Sequence, residues 1–410
     1  MDSTTEHPTH SPWSSLKTLI EGQLARPVDR SMLLMVVILS LLGVGAVYST
    51  VAYLADTRLG GDVNSMLIRH LTRLAIAGVV MAVFSVIDYR WLSRYSFPLL
   101  VGALLLLCSV WIFGVTTGGA TRRLDLVFFG FQPSDLVRIT LILRVATLLV
   151  KKRSYIKDFG RSFVPILVLS FISAGLIAIE DLSTSMVLVL CIATMGFIGR
   201  LSLIPMFSLA AIGMMIAFLV ISNSPGRAAR VEAFVGKKLF DSTTEEQVFS
   251  ATEEGYQKRQ AHIAIVSGGL LGVGPGKSVG REYVPEPYND FIFAMIAEEY
   301  GVVGITFLLG LFSLLLVRGM LRIARDAPDS LGLILAAGCT VAIVLNAFVH
   351  AMVNVGVLPV TGLNLPFISY GGTSLMANGI LMGILLNISR HRTRSASLPG
   401  GDDQPYRTHV

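Results

Sequence analysis

The sequence predicts an all-α integral membrane protein of about ten transmembrane helices, with a long extracytoplasmic loop between the seventh and eighth. Three observations carry that reading. Charged residues make up 15% of the chain, against roughly 25% in an average soluble domain. Hydrophobic residues make up 53% and fall in runs approaching the length that crosses a bilayer, about 20 residues each. Lys and Arg gather in short segments between particular runs, as they do on the cytoplasmic side of a membrane.

In chain order, the apolar cores are Ser31 to Leu54, Leu74 to Ile87, Phe97 to Val115, Leu136 to Val150 and Phe163 to Ile179. The second group is Met186 to Gly199, Leu203 to Ile221, Phe291 to Val317, Leu331 to Val349 and Pro366 to Ile388. The second, fourth and sixth are short and must recruit flanking polar residues to span. The densest basic loop, Lys151, Lys152, Arg153, Lys157 and Arg161, follows the fourth core; Arg318, Arg322 and Arg325 follow the eighth, and Arg390, Arg392 and Arg394 the tenth. An even number of helices separates these clusters from each other and from the N-terminus, so both termini are expected in the cytoplasm. The domain reading is a tail over 1–30, a membrane domain over 31–390 and a tail over 391–410. The first tail lacks the basic start and immediate apolar core of a cleaved signal peptide. Trp13, Leu16, Ile20 and Leu24 recur at helical spacing there and suggest a surface helix, which Gly22 and Pro27 weaken.

Composition excludes several classes. Cys108, Cys191 and Cys339 lie in apolar runs without CxxC or CxxH spacing, which argues against a disulfide framework or zinc site. No aromatic-basic platform for nucleic acid is present. Gly272-Val-Gly-Pro-Gly-Lys-Ser278 resembles a phosphate loop, but Leu271 occupies the position of its first glycine, which argues against nucleotide hydrolysis.

Residues 222–290 form a connection too long for an ordinary loop, its nine acidic residues nearly balanced by eight basic ones. Its apolar stretches, Ile263 to Val266 and Leu270 to Val273, are expected to pack on the bundle or dip into the interface. Lys277 and Arg281 are either ordinary solvated cations or partners for an anion such as a pyrophosphate. Asp290 is the last charge before the eighth apolar run, a position that suits a helix cap or a general base at the water–membrane border. Glu298 and Glu299 follow inside that run, where ionisable groups face the bundle interior or a wet cavity. After the ninth core, Val357 to Ser374 carries no charge and is broken by proline and glycine, consistent with a packed or re-entrant segment.

Read together, these motifs resemble the SEDS family of membrane proteins, to which FtsW, RodA and SpoVE belong. The resemblance spans about Asp29 to Arg394 and rests on five runs in order: Gln132-Pro-Ser-Asp135, Glu180-Asp-Leu-Ser-Thr184, Gly268 to Gly274, Val284 to Phe293, and Pro359 to Gly372, which matches in full. It implies a peptidoglycan glycosyltransferase that polymerises lipid II on the outer face of the bacterial cytoplasmic membrane. It makes Asp290 the catalytic residue, acting as a base or holding a divalent cation such as Mg or Mn. Lys277, Arg281, Arg122 and Arg123 become candidates for the departing pyrophosphate. Glu286, Asp135, Arg138, Glu298, Glu299 and Ser369 become further substrate-site candidates. The sequence departs from the pattern where Asp135 and Arg138 stand for Glu and Lys, Leu124 for Trp, His350 for Gln and Ser183 for Gly.

Arg227-Ala-Ala-Arg-Val-Glu-Ala-Phe234 and the long polar N-terminal tail resemble division-type rather than elongation-type members. The implied setting is the septum, beside a class B penicillin-binding protein transpeptidase and other membrane proteins of the division machinery. A lipid II transporter is the chief alternative, but the two halves of the chain show no internal repeat. A non-catalytic scaffold, with Asp290 as a helix cap, is the third reading.

Overall fold

The computed structural model describes residues 27–391 apart from 59–62, 114, 118–119, 127–128, 156–158, 202, 225–227, 229–230, 233–244, 285–286 and 360. The expected surface helix around Trp13 to Leu24 and most of the C-terminal tail lie outside the described residues. A helix covers each of the ten apolar cores. These helices are α1 (Arg30–Arg58), α2 (Val63–Val86), α4 (Ser96–Phe113), α5 (Pro133–Lys151), α6 (Val164–Glu180), α7 (Leu182–Ile198), α8 (Leu203–Ser222), α11 (Ile292–Arg318), α12 (Ser330–Asn354) and α13 (Gly372–Arg390). Among the described residues, further α-helices lie between cores: α3 (Tyr89–Arg94), α9 (Glu245–Gly268) and α10 (Gly280–Tyr283). Among the described residues, five helices are long and apolar enough to cross a membrane, and four shorter apolar helices accompany them. The chain is a multi-pass membrane protein.

α5 is the axis of the bundle. It packs against α4, α6, α7, α12 and α13, and most of its side chains, Asp135 and Arg138 included, are buried. Pro133 in its first turn costs nothing there, since that N–H has no helical partner. Between α4 and α5 the chain forms a small antiparallel meander, β1 (Val115–Thr117), β2 (Ala120–Leu126) and β3 (Phe129–Phe131), with a register shift between Val115 and Thr116.

α13 lies against α2 on a seam of small residues. A Cβ at Gly379 would stand 2.7 Å from the Ala77 carbonyl oxygen, and one at Gly383 would stand 2.6 Å from that of Met81. In hydrocarbon, where apolar burial alone does not drive helices together, such close backbone approach is what holds them. Asn387 closes the inner end of the seam, accepting from the Tyr89 N–H at 3.1 Å and donating to the Ser85 carbonyl at 3.0 Å. Nearby, Asp29 accepts from Arg318 at 2.7 Å and from the Met32 N–H at 3.1 Å, so it caps α1 and pins the end of α11.

Two boundaries differ from the sequence reading. The long connection holds a 24-residue helix, α9, where only loop was expected; its Ala261 and Ala264 pack on Phe291, Ala294 and Met295. The tenth core was expected to begin helical at Pro366, but α13 begins at Gly372, because residues 363–370 run as buried irregular backbone bonded to side chains of neighbouring elements. Gly383→Val is expected to lower unfolding stability by about 1–3 kcal/mol through overpacking. Gly102→Ala, where a Cβ meets nothing within 4 Å, is expected to leave it unchanged or slightly higher; equal thermal midpoints in one detergent would show that the seam does not hold the bundle.

Candidate active site

α11 is interrupted. Gly301 has φ 64° and ψ −163°, a conformation open only to glycine, and it breaks the helical ladder one turn past Glu298. An unbroken helix would bond the N–H of Val302 and Val303 to the carbonyls of Glu298 and Glu299. Here those carbonyls accept from Val273 N at 2.9 Å and Gly274 N at 3.1 Å, while the freed N–H groups donate to Gly269 O at 3.0 Å and Leu270 O at 3.2 Å. The glycine-rich run is thus a hairpin tip spliced into a broken helix. A Cβ at Gly268, Gly272 or Gly301 would collide with the opposing backbone. The close approach that these glycines permit is made to the chain's own helix rather than to a ligand.

Glu298 and Glu299 fasten the returning limb of the hairpin. Glu298, buried, accepts from the Ser278 hydroxyl and from the backbone N–H groups of Val279 at 3.0 Å and Gly280 at 3.1 Å. Glu299, also buried, accepts from the Ser49 hydroxyl. Arg281 stands beside Glu299 and donates to the Ser49 carbonyl at 2.9 Å, tying the hairpin to α1. The outer faces of Ile263, Val266, Leu270 and Leu271 remain exposed, as suits a hairpin surrounded by lipid rather than water. Glu298→Ala is expected to strand the Ser278 hydroxyl and two N–H groups, a loss of about 1–3 kcal/mol. Amide exchange should then accelerate over residues 278–284 and not in α12; unaltered exchange in the hairpin would contradict the clamp.

Asp290 lies in the turn before α11 and is half-buried. Its position is set by a polar ladder on α12, where Asn346, His350 and Asn354 occupy one face at four-residue spacing and are all buried. Asn346 donates to the Asn364 carbonyl at 3.1 Å and His350 to that of Leu363 at 2.6 Å. Asn354 donates to the Asp290 carbonyl at 3.0 Å and accepts from Ala294 N at 3.3 Å. Ser369 completes the frame, accepting from Leu365 N at 2.8 Å and donating to the Asn289 carbonyl at 3.0 Å; Tyr370 N donates to the Tyr288 carbonyl at 3.1 Å. The uncharged segment after α12 therefore grips the turn that carries Asp290. On the far side of the α12 end, His262 of α9 packs against Gly356, and burial followed by the nearby Lys258 charge holds this imidazole below its ordinary pKa.

Of the sequence candidates, Ser369 joins the Asp290 frame, while Glu298, Glu299 and Arg281 join the hairpin clamp. Lys277 is exposed at the hairpin, its stem over Gly274. Asp135 and Arg138 pair with each other at 3.4 Å in the first turn of α5. Arg122 and Arg123 have their backbone in β2, with side chains outside the described residues, and Glu286 lies outside them altogether. Sequence reasoning missed the positioning roles of Asn346, His350 and Asn354; their period of four within an apolar run was the available signal. Among the described residues no group of three or more His, Cys, Asp or Glu side chains converges to hold a metal. The donor set fits a magnesium-like ion only in its phosphate-bound form, with Asp290 as a single carboxylate beside substrate oxygens and water.

The family model described as cell cycle protein, covering FtsW, RodA and SpoVE, matches residues 29–394. A relative from Geobacter sulfurreducens, named probable peptidoglycan glycosyltransferase FtsW, is 36% identical over 373 residues, covering 88% of this chain and 95% of its own. One of the same name from Bacillus subtilis is 32% identical over 385 residues, covering 90% and 92%. Among solved structures, a chain of a peptidoglycan synthase complex that coordinates polymerization and crosslinking superposes with a TM-score of 0.70 at 24% identity, over 90% of this chain and 99% of that one. The rod shape determining protein RodA of Thermus thermophilus superposes at 0.64, also at 24% identity, over 90% and 98%; at that identity the likeness speaks for the fold. On the family match and these relatives, the chain belongs to the FtsW/RodA/SpoVE family of cell cycle proteins.

Proposed function

We propose that this protein is a peptidoglycan glycosyltransferase that polymerises lipid II at the outer face of the cytoplasmic membrane, with Asp290 as its base. The observation that carries the site assignment is the contrast between three carboxylates close in sequence. Glu298 and Glu299 are committed to protein donors deep in the hairpin, whereas Asp290 is half-buried in a turn held rigid through backbone carbonyls. A carboxylate placed this way is pre-organised, because the Asn354 and Ser369 contacts fix the backbone of its turn.

In the reaction, a sugar hydroxyl attacks the anomeric carbon of a lipid-linked chain. The new C–O bond forms as the bond to the diphosphate breaks, the departing diphosphate takes the electron pair, and the hydroxyl proton passes to Asp290. Configuration at that carbon inverts. A divalent cation bound at Asp290 and the diphosphate would offset negative charge there.

Relatives named FtsW over nearly the whole chain support a septal role. The synthase complex among the structural neighbours supports a crosslinking partner, which we take to be a class B penicillin-binding protein. The basic clusters support cytoplasmic termini and an outward-facing Asp290. Labelled lipid II supplied to the purified protein with its cognate transpeptidase should yield glycan chains. Asp290→Asn should lower that rate by about 100-fold or more, the usual contribution of a positioned base, with an unchanged thermal midpoint. A folded Asp290→Asn protein that polymerises at the wild-type rate would make the residue structural.

A further inference from the structure

Outside the hairpin and the Asp290 turn, Arg73 and His70 form a cluster in which no carboxylate pairs with the guanidinium among the described residues. Arg73 of α2 is half-buried. Its guanidinium donates to the Tyr370 carbonyl at 3.2 Å and sits 4.6 Å from the centre of the Tyr370 ring. The ion pairs among the described residues, Arg90–Asp329, Arg138–Asp135 and Arg318–Asp29, leave it out. One helical turn earlier, His70 is fully buried and stacks on the same ring at 5.7 Å. Neither of its ring nitrogens has a partner among the described residues. A buried imidazole with two idle nitrogens is costly unless a ligand supplies the missing bond.

The third component is the N-terminus of α13. Its N-cap, Gly371, offers no side chain. The ladder there begins with Leu375 N bonding to Gly371 O at 3.4 Å, which leaves the N–H groups of Gly372, Thr373 and Ser374 open, as in any helix start. Arg73 points at that end, with its Nε 3.4 Å from where a Gly372 Cβ would stand. A side chain at this position would fill the space between guanidinium and helix. A planar fork of donors, open N–H groups and the positive end of a 19-residue helix dipole suit an anion with several oxygens.

The cluster is continuous with the proposed catalytic turn. Tyr370, on which both side chains rest, bonds to Tyr288 and meets its ring edge-on at 5.4 Å; Asp290 follows two residues later. We propose that Arg73, His70 and the N-terminus of α13 form the seat of an isoprenoid diphosphate, holding the group that leaves as Asp290 takes the proton. The role as leaving-group site rests on the glycosyltransferase reading; the anion site itself does not. It replaces Lys277 and Arg281 as the main cationic partners of that group, since Arg281 is engaged with Ser49 and Glu299.

The test is binding of farnesyl diphosphate to the full-length protein in phosphatidylcholine nanodiscs, with farnesol as the uncharged control. Wild type and Asp290→Asn should bind the diphosphate and discriminate against farnesol. Arg73→Gln should weaken binding by about 10-fold or more. His70→Phe, which keeps the ring on Tyr370 and removes its nitrogens, should weaken it several-fold, and Arg73→Lys should fall between wild type and Arg73→Gln. Wild-type affinity in both Arg73→Gln and His70→Phe, or no preference of the wild type for the diphosphate, overturns the proposal. Discs containing phosphatidylglycerol separate the sources of phosphate: if that lipid abolishes farnesyl diphosphate binding, the site takes bulk headgroups and the diphosphate assignment fails. Arg73-dependent binding in a wild type that makes no glycan would sink the enzymatic reading and leave the anion site standing. Glycan synthesis lost on Asp290→Asn, with binding indifferent to Arg73, would do the reverse.

Discussion

Much of this architecture depends on one exchange of hydrogen bonds, between the break in α11 at Gly301 and the hairpin tip at Gly269 to Gly274. A helix interrupted inside a membrane exposes two carbonyls and two N–H groups, each costing several kcal/mol if left unpaired in hydrocarbon. The hairpin returns all four bonds. That constraint accounts for three glycines whose Cβ atoms would meet backbone, and for the two glutamates just ahead of the break, which bind the limb leaving the tip. The hairpin is thereby a fixed extension of α11 rather than an independent loop, and the turn between them inherits its position.

A second constraint acts on that turn from the opposite side. α12 is among the more thoroughly buried spans, yet it carries Asn346, His350 and Asn354 along one face. Burying three polar side chains is expensive unless each finds a partner, and all three bond to main-chain carbonyls of irregular segments. The two needs solve each other. Irregular backbone at depth requires donors, and an apolar helix with polar groups every fourth residue supplies them. Asp290 is located by this lattice through its own backbone carbonyl.

How much of this was legible in the sequence follows from the same physics. Apolar runs between charges located the apolar helices of the bundle, because spanning length is a demand of the bilayer itself. The position of Asp290 in the turn before α11 was legible, as the last charge before such a run. The helix α9 was not, since its sequence from Glu245 to Gln260 is polar and its packing face is the small pair Ala261 and Ala264, too slight to produce a period. The purpose of the glycines was not legible for a related reason. A glycine-rich run announces close approach without naming what approaches, and only the structure shows the partner to be the carbonyls of Ala297 and Glu299. Charges inside an apolar run signal function in general terms; they do not reveal that Glu298 is consumed by a clamp.

The division of charge across the site follows from those assignments. With Glu298 and Glu299 compensated by hydroxyl and backbone donors and by Arg281, the hairpin side of the turn offers little free charge to a substrate. The α2–α13 side is the reverse, with Arg73 and an uncapped helix end but, among the described residues, no carboxylate paired with Arg73. The Asp290 turn lies between them, tied to the first side through α11 and to the second through Tyr288 and Tyr370. The proposed base in the turn and the proposed cationic seat on one side of it form the arrangement that displacement of a diphosphate by a hydroxyl requires: proton acceptance at one point and charge stabilisation at the other. Rigidity decides whether the two act together, and it comes from the same seam glycines and polar ladder that hold α13 and α12 in place.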